Sequence, residues 1–234
     1  MLSGHIQALF GISADAAATR LRALARGGFL SREAVFDRQP PCYRITRKGL
    51  ATVGSSLPPP RVDLRSYRHD IGLAWLSLAA QGGAFGALDR VVSERQMRSL
   101  DATEEHSART LGGATEPFAV RLGGVGAGGR ERLHYPDLLL VARGDRRVAI
   151  ELELTSKSRI RRERILAGYG ADRRVEAVLY LVDSGAVANA VRESAARLGI
   201  SERVHVQGVQ WGCGSRGRGA ARTRAAERRA ELAR

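Results

Sequence analysis

The stretch from residue 13 to residue 28 reads SADAAATRLRALARGG, and it decides the fold of the first part of the chain. Ser13 is a favoured N-cap residue, and the alanine-rich run that follows it has a high helical propensity. The pair Gly27-Gly28 ends the run in the way that glycines end helices. The sequence therefore predicts a helix over residues 14–26.

This predicted helix has an apolar face and a polar face at helical spacing. The apolar positions are Ala17, Leu21, Leu24 and Ala25. Hydroxyl and guanidinium groups on the other face can reach base edges and phosphates in a DNA groove while the apolar face packs in a small core. We therefore expect the polar face to bind DNA through Thr19, Arg20, Arg22 and Arg26.

The neighbouring segments complete a winged helix-turn-helix, which we assign to residues 1–56. The predicted helix over 14–26 is preceded by a helix over 3–10 and a turn at Gly11. It is followed by a hairpin (29–36 and 42–45) and a further helix (47–53). The hairpin would bring Arg38 and Arg44 to the DNA backbone, and Lys48, in the helix that follows it, is a further expected DNA contact. The same fold can serve protein contacts instead. A complete domain of this kind has one more helix before the first, so we expect a start further upstream or a trimmed domain.

This segment resembles the winged-helix domains of bacterial regulators and plasmid proteins. The resemblance lies in Leu24, in Gly28-Phe29-Leu30 and in the run from Tyr43 to Gly49.

The charge of the chain points to a polyanionic partner. Lysine and arginine number 38 against 24 acidic residues, which gives a formal net charge of +14. Nucleic acid is the simplest partner for such a balance, although free use of arginine in a GC-rich genome is the alternative, since only Lys48 and Lys157 are lysines. The apolar stretch 71–80 is too short to span a bilayer, and no signal-peptide core opens the chain. We expect a cytoplasmic protein without a membrane partner.

The rest of the chain predicts a linker, a second domain and a tail. Three consecutive prolines make 57–62 a stiff linker. Strands (88–93, 135–142, 148–155, 175–182, 204–209) alternate with helices (67–81, 94–100, 158–169, 187–198) over 63–212, which predicts an α/β or α+β domain with a mixed sheet. The polar, glycine-rich stretch 101–129 is expected to be a loop. The tail, 213–234, has seven arginines against two glutamates and predicts a disordered or lone helical segment.

Three carboxylates carry the chemistry expected of the second domain. Glu151 and Glu153 share one strand face because strand side chains alternate. A three-residue hairpin loop at 144–146 would set Asp137, on the preceding strand, opposite Glu153. Oxygen ligands of this kind suit Mg²⁺ or Mn²⁺. We expect Asp137 and Glu151 to bind the metal, with Glu94 or Asp70 as a further acidic ligand. An exposed hairpin face paired with arginines is the alternative.

This pattern resembles the PD-(D/E)xK nuclease fold over roughly residues 67–209, with Pro136-Asp137 and Glu151-Leu152-Glu153 at the motif positions. The resemblance implies a metal-dependent DNA endonuclease with Asp137, Glu151 and Glu153 as catalytic residues. Glu153 stands where the family has its usual lysine. Lys157 could replace that lysine by reaching in from the end of the strand.

The whole order of motifs is similar to the replication-relaxation family of plasmid and mobile-element proteins, in which a winged helix precedes a nuclease-like domain. The matching residues are His69-Asp70, Glu94-Arg95, Tyr135-Pro136-Asp137, Glu151-Leu152-Glu153 and Tyr169. The resemblance implies double-stranded DNA as partner, together with replication or mobilisation proteins, and a role in plasmid replication, relaxation or mobilisation.

Two alternatives stay open. One is a winged-helix transcription regulator whose second domain is a catalytically inactive nuclease-like sensor or dimerisation module, which would make the chain a homodimer. The other is an interaction module of a replication complex.

Overall fold

The computed structural model describes residues 1–111, 117–126 and 129–209, and shows an α+β protein with a mixed five-stranded sheet. The chain divides into two compact units, the first ending at Ala79 and the second starting at Ala80. The helix that the sequence predicted as the start of the second domain therefore belongs, almost entirely, to the first unit. The predicted tail, 213–234, lies outside the described residues.

The first unit holds four helices and one hairpin among its described residues. They are α1 (Ser3–Phe10), α2 (Ala14–Arg26), β1 (Leu30–Glu33), β2 (Cys42–Ile45), α3 (Arg47–Thr52) and α4 (Tyr67–Gln81). Gly11, in the left-handed region at φ 60°, ends α1, and the Ser13 side chain accepts a hydrogen bond from the Ala16 amide at the start of α2. The capping chemistry thus places the turn between the two helices where the sequence predicted it.

The hairpin packs closely on α3. Strands β1 and β2 are antiparallel, with Leu30 opposite Ile45 and Glu33 opposite Cys42. A Cβ added to Gly49 would overlap the carbonyl oxygen of Phe29, the residue that precedes β1. Only glycine therefore fits where α3 packs against this part of the backbone.

Helix α4 packs on α1 through an aromatic contact. The ring centroids of His5 and Trp75 lie 4.3 Å apart, and Gly4 faces the same indole ring. His5 has no exposed surface, and its Nδ1 accepts a hydrogen bond from the Leu2 amide at 2.8 Å. Burial, reinforced by the charge of the α-amino group, lowers the pKa of His5 to about 4, so this ring is neutral at pH 7.

The second unit is built around one sheet. Its elements are β3 (Arg90–Ser93), α5 (Glu94–Leu111), β4 (Val120–Val125), β5 (Glu131–His134), β6 (Leu138–Ala142), β7 (Arg146–Glu153), α6 (Arg159–Ala171), β8 (Val175–Val182), α7 (Gly185–Arg197) and β9 (Val204–Gly208). The strand order is β3-β6-β7-β8-β9, with antiparallel pairing up to β7 and parallel pairing from β7 to β9. Strands β4 and β5 form a separate antiparallel pair.

The core of the second unit lies between the sheet and helices α6 and α7. Side chains from one face of the sheet, such as Ala149, Val178 and Tyr180, pack there with Ile165 and Val191 from the helices. The alternate sheet residues, including Ile150 and Leu152, are also buried. Both faces of the central strands are therefore covered, as in other sheets with parallel strands.

The prediction of a loop over 101–129 is wrong for residues 101–111, which are helical, and for 120–125, which form a strand; residues 112–116 and 127–128 lie outside the described residues. Helix α5 continues to Leu111, and β4 pairs with β5 further along. The side chain of Asp101 accepts hydrogen bonds from the amides of Phe118 and Ala119, which returns the chain to the helix. Two of the glycines that suggested a loop, Gly123 and Gly124, lie inside β4, where the pairing register shifts between Arg121 and Val125.

The strand predicted over 135–142 ends where expected but begins only at Leu138, because the chain changes sheets at Tyr135-Pro136. Before it, His134 pairs with Val120 in the small sheet; after it, Leu138 pairs with Ile150 in the central sheet. Proline has no amide hydrogen to continue a ladder, which suits it to this junction.

The predicted hairpin register is wrong by one loop position. Ala142 pairs with Arg146, so the three-residue loop is 143–145 rather than 144–146. Gly144 and Asp145 both take left-handed backbone angles, at φ 75° and 57°, and set the turn there. Asp137 consequently lies at the level of Glu151 and not opposite Glu153.

No helix among the described residues is long and apolar enough to cross a bilayer.

Candidate functional site

Three carboxylates meet where β6 begins and β7 ends. Because Leu138 pairs with Ile150, Asp137 enters β6 beside the last residues of β7. An oxygen of Asp137 accepts a hydrogen bond from the Leu152 amide at 2.7 Å, and the Asp137 carbonyl accepts one from the Glu94 amide. Glu151 and Glu153 leave β7 on one side, as strand alternation requires. We call Asp137, Glu151, Glu153 and Lys157 the carboxylate centre.

Glu151 is a buried, ionised carboxylate. It is 1% exposed, and its Oε1 accepts hydrogen bonds of 2.6 Å from both the Tyr169 hydroxyl and His134 Nε2. Burial on its own would raise the pKa of Glu151. The charges and hydrogen bonds of His134, Lys157 and Tyr169 outweigh burial and hold that pKa below its usual value.

Lys157 supplies the cation of the carboxylate centre. Its Nζ lies 3.3 Å from Glu153 Oε2 and 3.6 Å from Glu151 Oε2, and its side chain is 21% exposed. The Lys157 amide also donates to Glu153 Oε1, so the segment after β7 folds back on the glutamates. Burial lowers the pKa of Lys157, but the carboxylates Glu151, Glu153 and Asp137 raise it to a net value above the ordinary one. The structure thus places Lys157 at the end of the strand, beside both glutamates.

Two buried tyrosines complete the surroundings of this centre. Tyr180 on β8 lies beside Glu151 in the strand register, and Tyr169 reaches Glu151 from α6. Burial and the nearby negative charge of Glu151 raise both phenol pKa values well above 10. Tyr169 therefore keeps its proton at neutral pH and donates it in a hydrogen bond to the Glu151 carboxylate.

His134 is a site residue that the sequence did not indicate. It ends β5, on a strand whose pairing partner could not be read from the sequence, and its side chain is 18% exposed. Its ring packs edge-on against Tyr169, with centroids 5.9 Å apart. A histidine beside a motif such as Tyr135-Pro136-Asp137 was the available signal.

The side chains as arranged do not fit a divalent cation. Mg²⁺ and Mn²⁺ need several oxygen ligands directed at one point. Within residues 1–111, 117–126 and 129–209, no three His, Cys, Asp or Glu side chains are placed to hold a metal ion. The Lys157 ammonium lies where an ion shared by the two glutamates would sit. Binding of Mg²⁺ or Mn²⁺ therefore stays a prediction, and it would require Lys157 to move.

The remaining acidic candidates have other partners. Glu94 lies next to Asp137 through its backbone, but its carboxylate forms an ion pair with Arg98 at 2.7 Å. Asp70 on α4 accepts a hydrogen bond from Ser66 and lies 3.8 Å from His69 Nδ1. His69 and Asp70 belong to the first unit.

Helix α6 is less basic on its surface than its sequence suggests. Arg162 is buried, where it donates to Ser194 and to the Lys157 carbonyl. This arginine supports the segment that carries Lys157. Arg161 and Arg164 are exposed.

The polar face of α2 is exposed as the sequence pattern suggests. Ala17 and Leu21 are buried, while Thr19, Arg20, Arg22 and Arg26 are exposed. The apolar stripe is narrower than expected, because Leu24 is 44% exposed. We call the surface formed by Thr19, Arg20, Arg22 and Arg26 the basic face.

The three remaining cations that were expected to contact DNA differ in how far their charged groups are already paired. Arg38 is at the tip, 93% exposed and 3.5 Å from Asp37. Arg44 is held inside the unit by Glu33 at 2.6 Å and by the Pro60 carbonyl at 3.1 Å. Lys48 donates to the Gly27 carbonyl and lies over the Phe29 ring. Arg38 is thus freer than Arg44 or Lys48 to contact a partner.

Comparison with known proteins gives no match among protein-family models, curated proteins or solved structures.

Proposed function

We propose that this chain is a cytoplasmic DNA-binding protein of a plasmid or other mobile element, acting in replication, relaxation or mobilisation. Its first unit would be a winged helix-turn-helix and its second a PD-(D/E)xK-like domain. The basic face of α2 carries the proposal. A capped helix that buries Ala17 and Leu21 and exposes Thr19, Arg20, Arg22 and Arg26 has the division that a recognition helix needs. The plasmid role is supported by the motif order alone.

Arg22→Ala tests the recognition helix. On a duplex selected from a random pool with the full chain, we expect binding about tenfold weaker, because a guanidinium bound to a base edge contributes roughly 1–3 kcal/mol. On random duplex we expect a smaller loss. Fluorescence anisotropy measures both. Arg90→Ala, which removes an exposed arginine from β3, is the matched control and should bind as the wild type does.

Equal losses on selected and random duplex would contradict base reading by Arg22. Absence of any duplex binding by the full chain would remove the proposed function.

Strand cleavage is the second candidate, and the carboxylate centre favours it. Asp137, Glu151, Glu153 and Lys157 lie together at the ends of adjacent strands, with an ammonium that can neutralise a phosphodiester. Cleavage would require a divalent ion to displace the Lys157 ammonium from between Glu151 and Glu153, and such an ion would supply Lewis-acid activation of water. A silent domain in a transcription regulator is the competing account.

A nicking assay separates these accounts. We expect the full chain to convert supercoiled plasmid to open circles with Mn²⁺, and Asp137→Asn to lose this activity at least 100-fold. The Asp137→Asn protein purified in parallel controls for contaminating nuclease. Equal nicking by the two proteins, or none by the wild type, would discard cleavage and favour the regulator.

A further inference from the structure

An open cavity of about 450 Å³ lies where α2 meets the hairpin. Its lining residues are Thr19, Arg22, Ala25, Arg26 and Arg32. The first four come from consecutive turns of α2, and Arg32 comes from the middle of β1, opposite Tyr43. Arg32 is exposed, and it is absent from the DNA-contacting residues that the sequence indicated.

The cavity concentrates positive charge without internal compensation. It gathers the guanidinium groups of Arg22, Arg26 and Arg32, and in the part of the chain that the structure describes no carboxylate pairs with any of them. One residue away, by contrast, Glu33 neutralises Arg44. Three like charges around one cavity repel each other unless an anion lies between them.

A backbone phosphate of duplex DNA suits the charge and the donors of this cavity. Arginine is suited to two-pronged contacts with phosphate oxygens, and Thr19 adds a hydroxyl donor. Part of the basic face lines the cavity, which opens between α2 and the hairpin. A helix in the major groove has DNA phosphates along both of its sides. The charge, the donors and the position therefore agree on one ligand.

We propose that Arg32, together with Arg26, binds a DNA backbone phosphate from the hairpin side of α2, beside Arg22, whose guanidinium is assigned to a base edge. This assignment rests on the proposed DNA-binding function. It adds Arg32 to Arg38 as a hairpin cation that contacts DNA, in place of Arg44, which is paired with Glu33 and the Pro60 carbonyl, and of Lys48, whose ammonium donates to the Gly27 carbonyl.

The test compares Arg32→Ala with the wild type and with Arg90→Ala, all as full chains, by fluorescence anisotropy on the selected and on random duplex. We expect Arg32→Ala to bind both duplexes about tenfold more weakly, because phosphate contacts carry no sequence information. The slope of log affinity against log salt should decrease by about one. Arg32→Lys should recover part of the affinity, since it keeps the charge.

Each outcome bears on a separate claim. Unchanged affinity and slope in Arg32→Ala, with normal binding by the wild type, would overturn the phosphate assignment and leave DNA binding in place. A loss confined to the selected duplex would also overturn it, because Arg32 would then read a base. Failure of the wild type to bind either duplex would overturn both proposals. Circular dichroism melts of Arg32→Ala and Arg32→Lys should match the wild type, since the side chain is exposed.

Discussion

Replacing Lys157 with methionine should lower the free energy of unfolding of the full chain by about 3 kcal/mol at pH 7. Glu151 and Glu153 are 1% and 2% exposed, and Lys157 is the cation within 4 Å of both. Methionine preserves much of the side-chain volume but leaves two buried negative charges with less compensation. Urea unfolding curves measure the loss. Arg161→Met, which removes an exposed cation from α6, is the matched control and should change stability by less than about 0.5 kcal/mol.

The pH dependence identifies the cause of this destabilisation. In the wild type the pKa of Glu151 is below its usual value near 4.5, so its contribution is present above that pH and is lost as the pH falls through the lowered pKa. Without Lys157, one of the charges that lower the pKa of Glu151 is lost, so Glu151 should take up its proton at higher pH, which relieves the uncompensated charge. The stability difference between wild type and Lys157→Met should therefore shrink from pH 7 to pH 4.5. A difference that stays constant over this range would indicate lost packing instead of lost charge.

Local signals predicted the elements that depend on local chemistry. The N-cap Ser13 and the two glycines after Arg26 gave the bounds of α2 as observed. The apolar strand Val175–Val182 was likewise predicted with its observed bounds. The predicted bounds of these elements agree with the observed ones because capping, helical periodicity and a continuous apolar run are properties of neighbouring residues.

Long-range pairing explains where prediction failed. The glycine-rich stretch from Val120 predicts a loop, because only pairing with its distant partner, Glu131–His134, makes it a strand. Helix α5 extends beyond Leu100 into a polar stretch, and Asp101 ties it to Phe118 and Ala119 by hydrogen bonds across the sequence. Tertiary contacts of this kind override local propensity and leave no periodic trace.

The site could be predicted in its residue types but not in its contacts. Strand alternation gave the common face of Glu151 and Glu153. The hydrogen bonds from His134 and Tyr169 to Glu151, and the exact level of Asp137, depend on a turn register and on the packing of α6. The face that carries Glu151 and Glu153 is buried, whereas one alternative drawn from the sequence was an exposed hairpin face.

The salt dependence of duplex binding carries the largest expected effect. Every lysine or arginine that neutralises a phosphate releases condensed counterions, so log affinity falls with log salt at a slope of roughly −0.9 per contact. The exposed arginines of the basic face and the hairpin, including Arg20, Arg26, Arg32 and Arg38, offer about four such contacts. Between about 50 and 200 mM salt the affinity should then fall on the order of 100-fold.

Anisotropy titration of the full chain with duplex DNA across that salt range is the most direct test of DNA binding by this protein. The account predicts tight binding at low salt and a log–log slope near −4 that becomes shallower by about one in Arg32→Ala. An affinity that is the same at both salt concentrations, or no binding at about 50 mM salt, would contradict it.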